Sequence, residues 1–435
     1  MPGDRRHGWR LRVQAWSAVI TCVAPAAFLA LAHRLWIRRR ALVGLGEKLV
    51  GCGPQLPRGG VIVHGVSLGE VGLMRAVVPA IRRAGLVPVL TTSTETGAAG
   101  LAKSFPQEAR AFWPFDLPWA VGGFLARTRP RAVVLLEAEF WPLAMAACHA
   151  RGIPVLVVNG RASPRTTDRL ASLPSLTRSL FSALALVAAQ TPTYGARFRR
   201  LGARRVAVTG SLKADLVRPA VAAPWWEEHG IGTDRPLLLL ASTSDGEEAN
   251  VLARGLAPWT GWRIAIVPRH PERGAVIAGL VERLGGIPRR TSQGARVQGD
   301  GDILIADEIG RLGEGYRRCA ESGGIAVVGG GLGSGRGGQN MLEAAAAGCC
   351  TVVGWDCKAQ PDPMAILRAA EAVVELVPGQ VAPVLAALAA DRARRSDLGH
   401  RAQLAWAAGR GAMERLDRHL AEAFARCGLA PGDPP

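Results

Sequence analysis

The chain has 435 residues, 49% of them hydrophobic, with a mean hydropathy of +0.15. That is enough apolar material for two domain cores and excludes a disordered or fibrous protein. Fifty-three basic residues against 35 acidic ones leave a net charge of +18, so an anionic partner such as an acidic lipid headgroup or a phosphorylated substrate is expected. Aromatic residues make up only 5% and no recognised binding module is present, which argues against nucleic acid. The eight cysteines form no CxxC pair and the eight histidines are scattered. A metal centre or a disulfide framework is therefore not expected, and a reducing compartment is.

Residues 13–32 carry no charge and lie between Arg5, Arg6, Arg10 and Arg12 on one side and Arg34, Arg38, Arg39 and Arg40 on the other. Twenty helical residues span about 30 Å, the thickness of a bilayer core. An uncleaved membrane anchor over residues 1–41 is the favoured reading. An interfacial helix and a signal peptide cleaved near Ala30-Leu31-Ala32 are the alternatives. Against cleavage, the apolar run is longer than a signal core and an arginine cluster follows at once.

Beyond the anchor, short apolar runs alternate with helical patterns. Val61–Val66, Val87–Thr92, Ala132–Leu136, Pro154–Val158 and Leu184–Ala188 read as buried parallel strands. A polar, proline-containing stretch over residues 218–235 reads as a linker. The pattern restarts with Leu237–Ala241, Arg263–Val267, Asp302–Ile305, Ile325–Val328 and Thr351–Val353, and helices from about Pro383 to Arg426 close it. The expected fold is α/β, with Rossmann-like domains over 42–217 and 236–426 facing across a cleft and a tail over 427–435. Ligands of such folds bind at the carboxyl ends of the strands.

Several residues at those ends suit chemistry. Glu70, in Val66-Ser-Leu-Gly-Glu-Val71, follows the first strand where a helix begins; it can serve as a base toward an alcohol or simply favour its own helix terminus. Glu137 and Glu139 stand at the mouth of an apolar strand, where a charge is costly unless paired or functional. Lys213 is one of only four lysines in the chain, and a compact ammonium is not equivalent to a guanidinium. Ser242 and Thr243 open a hydroxyl-rich segment suited to an anion, within which Ser244 and Glu247 have capping-box spacing. Arg269, after Pro268, can pair with a phosphate.

The run Ile325-Ala-Val-Val-Gly-Gly-Gly-Leu-Gly-Ser-Gly-Arg-Gly-Gly-Gln-Asn-Met-Leu-Glu343 carries the strongest signal. A strand ends in glycines, crosses a basic loop and enters an Ala-rich helix. Neither GxGxxG nor a P-loop spacing is present. N–H groups near Gly338–Asn340 are expected to hold a phosphate, and Glu343, about one turn inside the helix, a ribose.

Taken in order, HGVSLGE, TTSTETG, PFDLP, EAEFWP, NGRAS, GSLKADL, ASTSDGEE, PRHPER and GRGGQNMLE resemble the 3-deoxy-D-manno-octulosonic acid (Kdo) transferases of lipopolysaccharide synthesis, glycosyltransferase family 30. The resemblance covers roughly Trp16 to Arg426. It implies a GT-B fold anchored on the cytoplasmic face of the inner membrane, catalytic domains facing the cytoplasm. It also implies inverting, metal-independent transfer of Kdo from CMP-Kdo, a substrate rather than a cofactor, to a lipid A precursor. Carried over residue by residue, it makes Glu70 the proton acceptor and Glu137 and Lys213 transition-state stabilisers. CMP contacts fall on Pro268, Arg269, Ile309, Gly310, Arg311 and the Asn340-Met341-Leu342-Glu343 segment. The chain departs from the family pattern at Gln339, Met341 and Arg311, and Gly354-Trp-Asp stands where Gly-Pro-His is common. The alternatives are a membrane-associated GT-B enzyme using a UDP-sugar and a non-catalytic relative that binds nucleotide or lipid. Separate incubation with CMP-Kdo and UDP-sugars distinguishes the two enzymes.

Overall fold

The computed structural model describes residues 43–50, 53–137, 140–217 and 224–429. The anchor expected over 1–41 and the second carboxylate of the EAE motif, Glu139, lie outside the described residues. Among the described residues no helix is long and apolar enough to cross a membrane.

The chain forms two compact units. The first holds seven parallel strands, β1 (Val61–His64), β2 (Pro88–Thr92), β3 (Ala109–Phe112), β4 (Ala132–Leu136), β5 (Val155–Gly160), β6 (Leu186–Ala189) and β7 (Val206–Val208), in the order β3-β2-β1-β4-β5-β6-β7. Helices cover both faces, so the central strands are buried on both sides and read as continuous apolar runs. Pleating divides their side chains: Val61, Val63, Val134 and Leu136 enter one core, and Ile62, Val133 and Leu135 the other. Strand order reverses between β1 and β4, the switch point where α/β sheets bind ligands.

The second unit repeats the plan with β8 (Leu237–Thr243), β9 (Arg263–Pro268), β10 (Ile287–Arg290), β11 (Asp302–Ile305), β12 (Ile325–Val328), β13 (Cys350–Val353) and β14 (Val374–Glu375), all parallel, in the order β10-β11-β9-β8-β12-β13-β14. Its switch point lies between β8 and β12. The sheets make the fold α/β of the GT-B class.

Two expectations about organisation are corrected. The helix Ala412–Arg426 was expected to close the second domain, yet it belongs to the first unit. Ala412, Leu416, Leu420, Ala423 and Phe424 enter the core that contains Val61 and Leu136. Asp215 fixes its start by accepting from Gly411 N at 2.8 Å and Met413 N at 2.6 Å. The expected linker also contains structure: Trp225–Glu228 is a short helix, and Trp226 and Ile231 are fully buried in the second unit. A proline-bearing polar stretch hides a packed tryptophan pair.

Asp116, in the PFDLP motif, accepts from Leu143 N at 2.9 Å and Ala144 N at 2.8 Å, the first free amides of the helix Pro142–Ala150. Burial pushes its carboxyl up to about 6 despite these two bonds. A folded-state value above the unfolded one near 3.9 means that its contribution to stability is fully present below about pH 4 and lost as pH rises through about 6. Asp116→Asn removes that titration. The melting-temperature difference, wild type minus variant, is therefore expected to fall between pH 4 and pH 7; a difference that stays constant across the range refutes the assignment.

Candidate active site

In the first unit, the residues singled out in the sequence gather at the β1/β4 switch point. After His64 the chain turns through Gly65 into the helix Leu68–Arg83. Ser67 N donates to Glu70 Oε2 at 2.6 Å, and the Ser67 hydroxyl donates to the same oxygen. The capping box is thus formed, while Glu70 Oε1 has no partner among the described residues. The helix-terminus reading of Glu70 is met by one oxygen, which holds the helix start, and the other oxygen is available. Gly65 lets the carboxylate stem approach, since a Cβ there would fall 2.7 Å from Glu70 Cβ and 3.3 Å from Leu136 Cδ1. His64, which opens the motif, is a wall of the site. It is fully buried, stacked on Trp113 at 4.5 Å, with Nδ1 3.2 Å from Thr91 Oγ1. Burial pushes its pKa down to about 3, so the ring stays neutral.

Glu137 follows β4 directly, in the left-handed region at φ 59° and 5% exposed. Such a backbone in a non-glycine residue is held only where its surroundings demand it. Here the demand is electrostatic: Oε2 meets Arg161 Nε at 3.0 Å and Oε1 meets Lys213 Nζ at 3.3 Å. Lys213 is delivered by a five-residue helix, Leu212–Leu216, whose Leu212 N donates to Asn159 Oδ1 at 3.0 Å. Asn159 is itself buried and left-handed, at φ 54°. Glu137 and Lys213, singled out separately in the sequence, form an ion pair, and Arg161 completes it. Arg161 was not singled out, although its place in NGRAS, one residue beyond a buried strand, parallels that of Glu137.

The second unit builds a glycine loop at its own switch point, and the organiser is Glu247. This carboxylate is fully buried and accepts from Ser244 N at 2.8 Å, Gly330 N at 2.7 Å, Leu332 N at 2.9 Å and Ser334 Oγ at 3.0 Å. Read from spacing as a capping partner of Ser244, it joins the end of β8 to the loop after β12. The next carboxylate, Glu248, forms a bidentate pair with Arg273 at 2.7 and 2.9 Å. At the end of β8, Ser242 is left-handed, and the Thr243 and Ser244 hydroxyls are buried without hydrogen-bond partners. Buried hydroxyls left unpaired are costly, and they mark a polar floor beneath the loop.

Two of the amides expected to hold a phosphate are engaged within the loop. Gly338 N donates to Gly330 O at 2.8 Å and Gln339 N to Gly329 O at 3.0 Å, closing the loop on itself. Among the described residues, the exposed N–H groups of Gly333, Gly335 and Arg336 are among those left without a partner, and so is that of Asn340. The helix that follows, Leu342–Ala347, has six residues, so Glu343 is its second residue rather than one turn inside. Met341 and Leu342 are fully buried, which makes their side chains packing groups. Glu343 accepts from Asn340 Nδ2 at 3.2 Å, and burial raises its pKa against that bond. Pro268 ends β9 opposite Thr243, and Arg269 Nη1 donates to Gln339 Oε1 at 2.5 Å. Beyond β11, Ile309 is 84% exposed and Gly310 has φ 95°. The Arg311 guanidinium lies over the Trp225 ring at 5.0 Å, and its carbonyl accepts from Trp226 Nε1 at 3.0 Å. An arginine at this position is thus held by the tryptophan pair of the former linker.

Residues 15–216 match a family model described as 3-deoxy-D-manno-octulosonic-acid transferase (kdotransferase). The 3-deoxy-D-manno-octulosonic acid transferase of Bordetella pertussis is 34% identical over 343 residues, which are 74% of this chain and 79% of that one. The chain belongs to the Kdo transferase family. The Haemophilus influenzae enzyme of the same name is 28% identical over 382 residues, 83% of this chain and 86% of its own. Among solved structures, S. aureus MnaA with UDP has a TM-score of 0.53 at 13% identity, over 86% of this chain and 99% of that one. A glycosyltransferase from Rickettsia africae has a TM-score of 0.52 at 11% identity, over 85% and 98%. These two likenesses concern the fold alone.

Glu247→Gln turns one acceptor oxygen of a Kdo transferase loop tether into a donor facing other donors. Charge-assisted bonds to a buried carboxylate are each worth about 1.5–3 kcal/mol, so a loss of roughly that size is expected. Hydrogen exchange at Gly330 and Leu332 should quicken by at least tenfold. Unchanged protection at both amides would show that the loop holds its shape without the carboxylate.

Proposed function

We propose that the chain transfers Kdo from CMP-Kdo to a lipid A precursor in lipopolysaccharide synthesis. The observation that carries this reading is the pairing of Glu137 with Lys213 and Arg161 at the switch point that also presents Glu70, in a chain of this family. The acceptor hydroxyl attacks the anomeric carbon of Kdo and gives its proton to Glu70. The bond from that carbon to the CMP phosphate breaks, and its electron pair leaves on the phosphate oxygen. Positive charge that develops on the sugar is matched by Glu137, whose carboxylate is oriented by its two cations.

The second unit supplies donor recognition. Arg269 and the unpartnered loop amides suit the phosphate, and Glu343, held by Asn340, suits the ribose hydroxyls. The uncharged run 13–32 and the charge of +18 support attachment to an anionic membrane surface at the cytoplasmic face, where the acceptor lipid would reside. Sedimentation with anionic vesicles is expected to weaken at high salt for a variant lacking residues 1–40; salt-insensitive binding would refute the electrostatic part.

Purified protein incubated with CMP-Kdo and a lipid A precursor should yield a Kdo-bearing lipid by mass spectrometry, and UDP-sugars should yield none. Glu70→Gln is expected to lower kcat at least about 10²-fold with CMP-Kdo affinity retained. Glu343→Ala should do the reverse, raising KM roughly ten- to a hundredfold while kcat changes little, because the ribose is unaltered by the reaction. Near-normal turnover in the first variant, or unchanged CMP affinity in the second, would overturn the respective role.

A further inference from the structure

Arg269 differs from its neighbours on the adjoining strands and loops in what it touches. Arg273, Arg289 and Arg290 are each paired with a carboxylate, at 2.7, 3.1 and 2.8 Å. The exposed guanidinium of Arg269 has one described partner, the neutral amide oxygen of Gln339, at 2.5 Å. Its position along the chain is fixed by Arg269 N donating to Thr243 O at 2.9 Å.

Gln339 is fixed in turn. Its backbone closes the glycine loop, and its side chain folds over Gly330. A Cβ at Gly330 would fall 2.8 Å from Gln339 Nε2 and 3.1 Å from Gln339 Cγ, and Gly330 has φ 81°. Only a residue without a side chain leaves room for the amide there. The sheet order β9-β8-β12 means that this bond, from the loop after β9 to the loop after β12, spans the end of β8. That end carries the two buried, unpartnered hydroxyls of Thr243 and Ser244.

We propose that Gln339 is a positioning residue that orients the Arg269 guanidinium toward the donor phosphate while leaving its charge uncancelled. A neutral acceptor fixes direction without competing with the ligand, whereas a carboxylate in the same place would neutralise the cation. The donor's phosphodiester carries one negative charge and the departing CMP two, so a pre-oriented, unneutralised cation acts most strongly as the bond breaks. The inference rests on the reading of the second unit as the CMP-Kdo site.

The test uses the full-length protein and measures affinity for CMP and for cytidine, which lacks the phosphate. Gln339→Ala is expected to weaken CMP about fivefold and Gln339→Glu at least tenfold, with cytidine affinity within twofold of wild type in both. With Arg269 already replaced by Ala, the two changes at Gln339 should have no further effect on CMP. Equal weakening of CMP and cytidine, or full additivity with Arg269→Ala, would make Gln339 a residue of loop structure and overturn the proposal. Wild-type CMP affinity in Gln339→Glu would overturn it while leaving the donor site intact. A wild-type protein that binds no CMP would remove the reading beneath it as well.

Discussion

A carboxylate with no exposed surface needs donors on every side, and Glu247 finds four of them at a single place. Without it the segment from Gly329 to Gly338 would have little reason to hold one shape. Five of its glycines have positive φ, and glycine loses more freedom on ordering than any other residue. The buried charge converts an entropically expensive loop into a fixed surface, because the carboxylate cannot be desolvated unless Gly330, Leu332 and Ser334 all point inward. Amides of the exposed residues Gly333, Gly335 and Arg336 neither serve Glu247 nor close the loop. The site is defined by which donors the carboxylate takes and which it leaves.

The first unit solves a similar problem with opposite means. Glu137 also ends a buried strand, but its partners are cations on separate segments, Arg161 after β5 and Lys213 after β7. Its left-handed backbone and that of Asn159 are the conformational cost of bringing three loops to one point. Charge thus organises both switch points. In the second unit it shapes backbone, and in the first it shapes a side-chain constellation.

Sequence periodicity located the strands at the middle of each sheet closely. Ala132–Leu136, Asp302–Ile305 and Ile325–Val328 agree to the residue. The four strands without a sequence signal, β3, β7, β10 and β14, are the edges of the two sheets. They are short and only partly buried, and β10 contains Pro288, so neither hydrophobic runs nor alternation marks them. The site follows the same rule. Glu70, Glu137 and Lys213 stand out because a charge beside an apolar strand is conspicuous. Arg161 hides among 49 arginines, and Glu247 hides because capping spacing already explains it. The engagement of the Gly338 and Gln339 amides within the loop was not legible, because a glycine run says nothing about which of its N–H groups close on its own carbonyls.

The return of helix Ala412–Arg426 to the first unit bears on how the protein is made. The second unit is an insertion in the first, and all of its residues emerge from the ribosome before the last helix of the first does. The second unit can therefore close around its own core during synthesis. The first must wait, with one of its two cores incomplete beside the helix Leu68–Arg83 and β6 until Leu416, Leu420 and Phe424 arrive. The half of the molecule that is translated first is the half that finishes folding last.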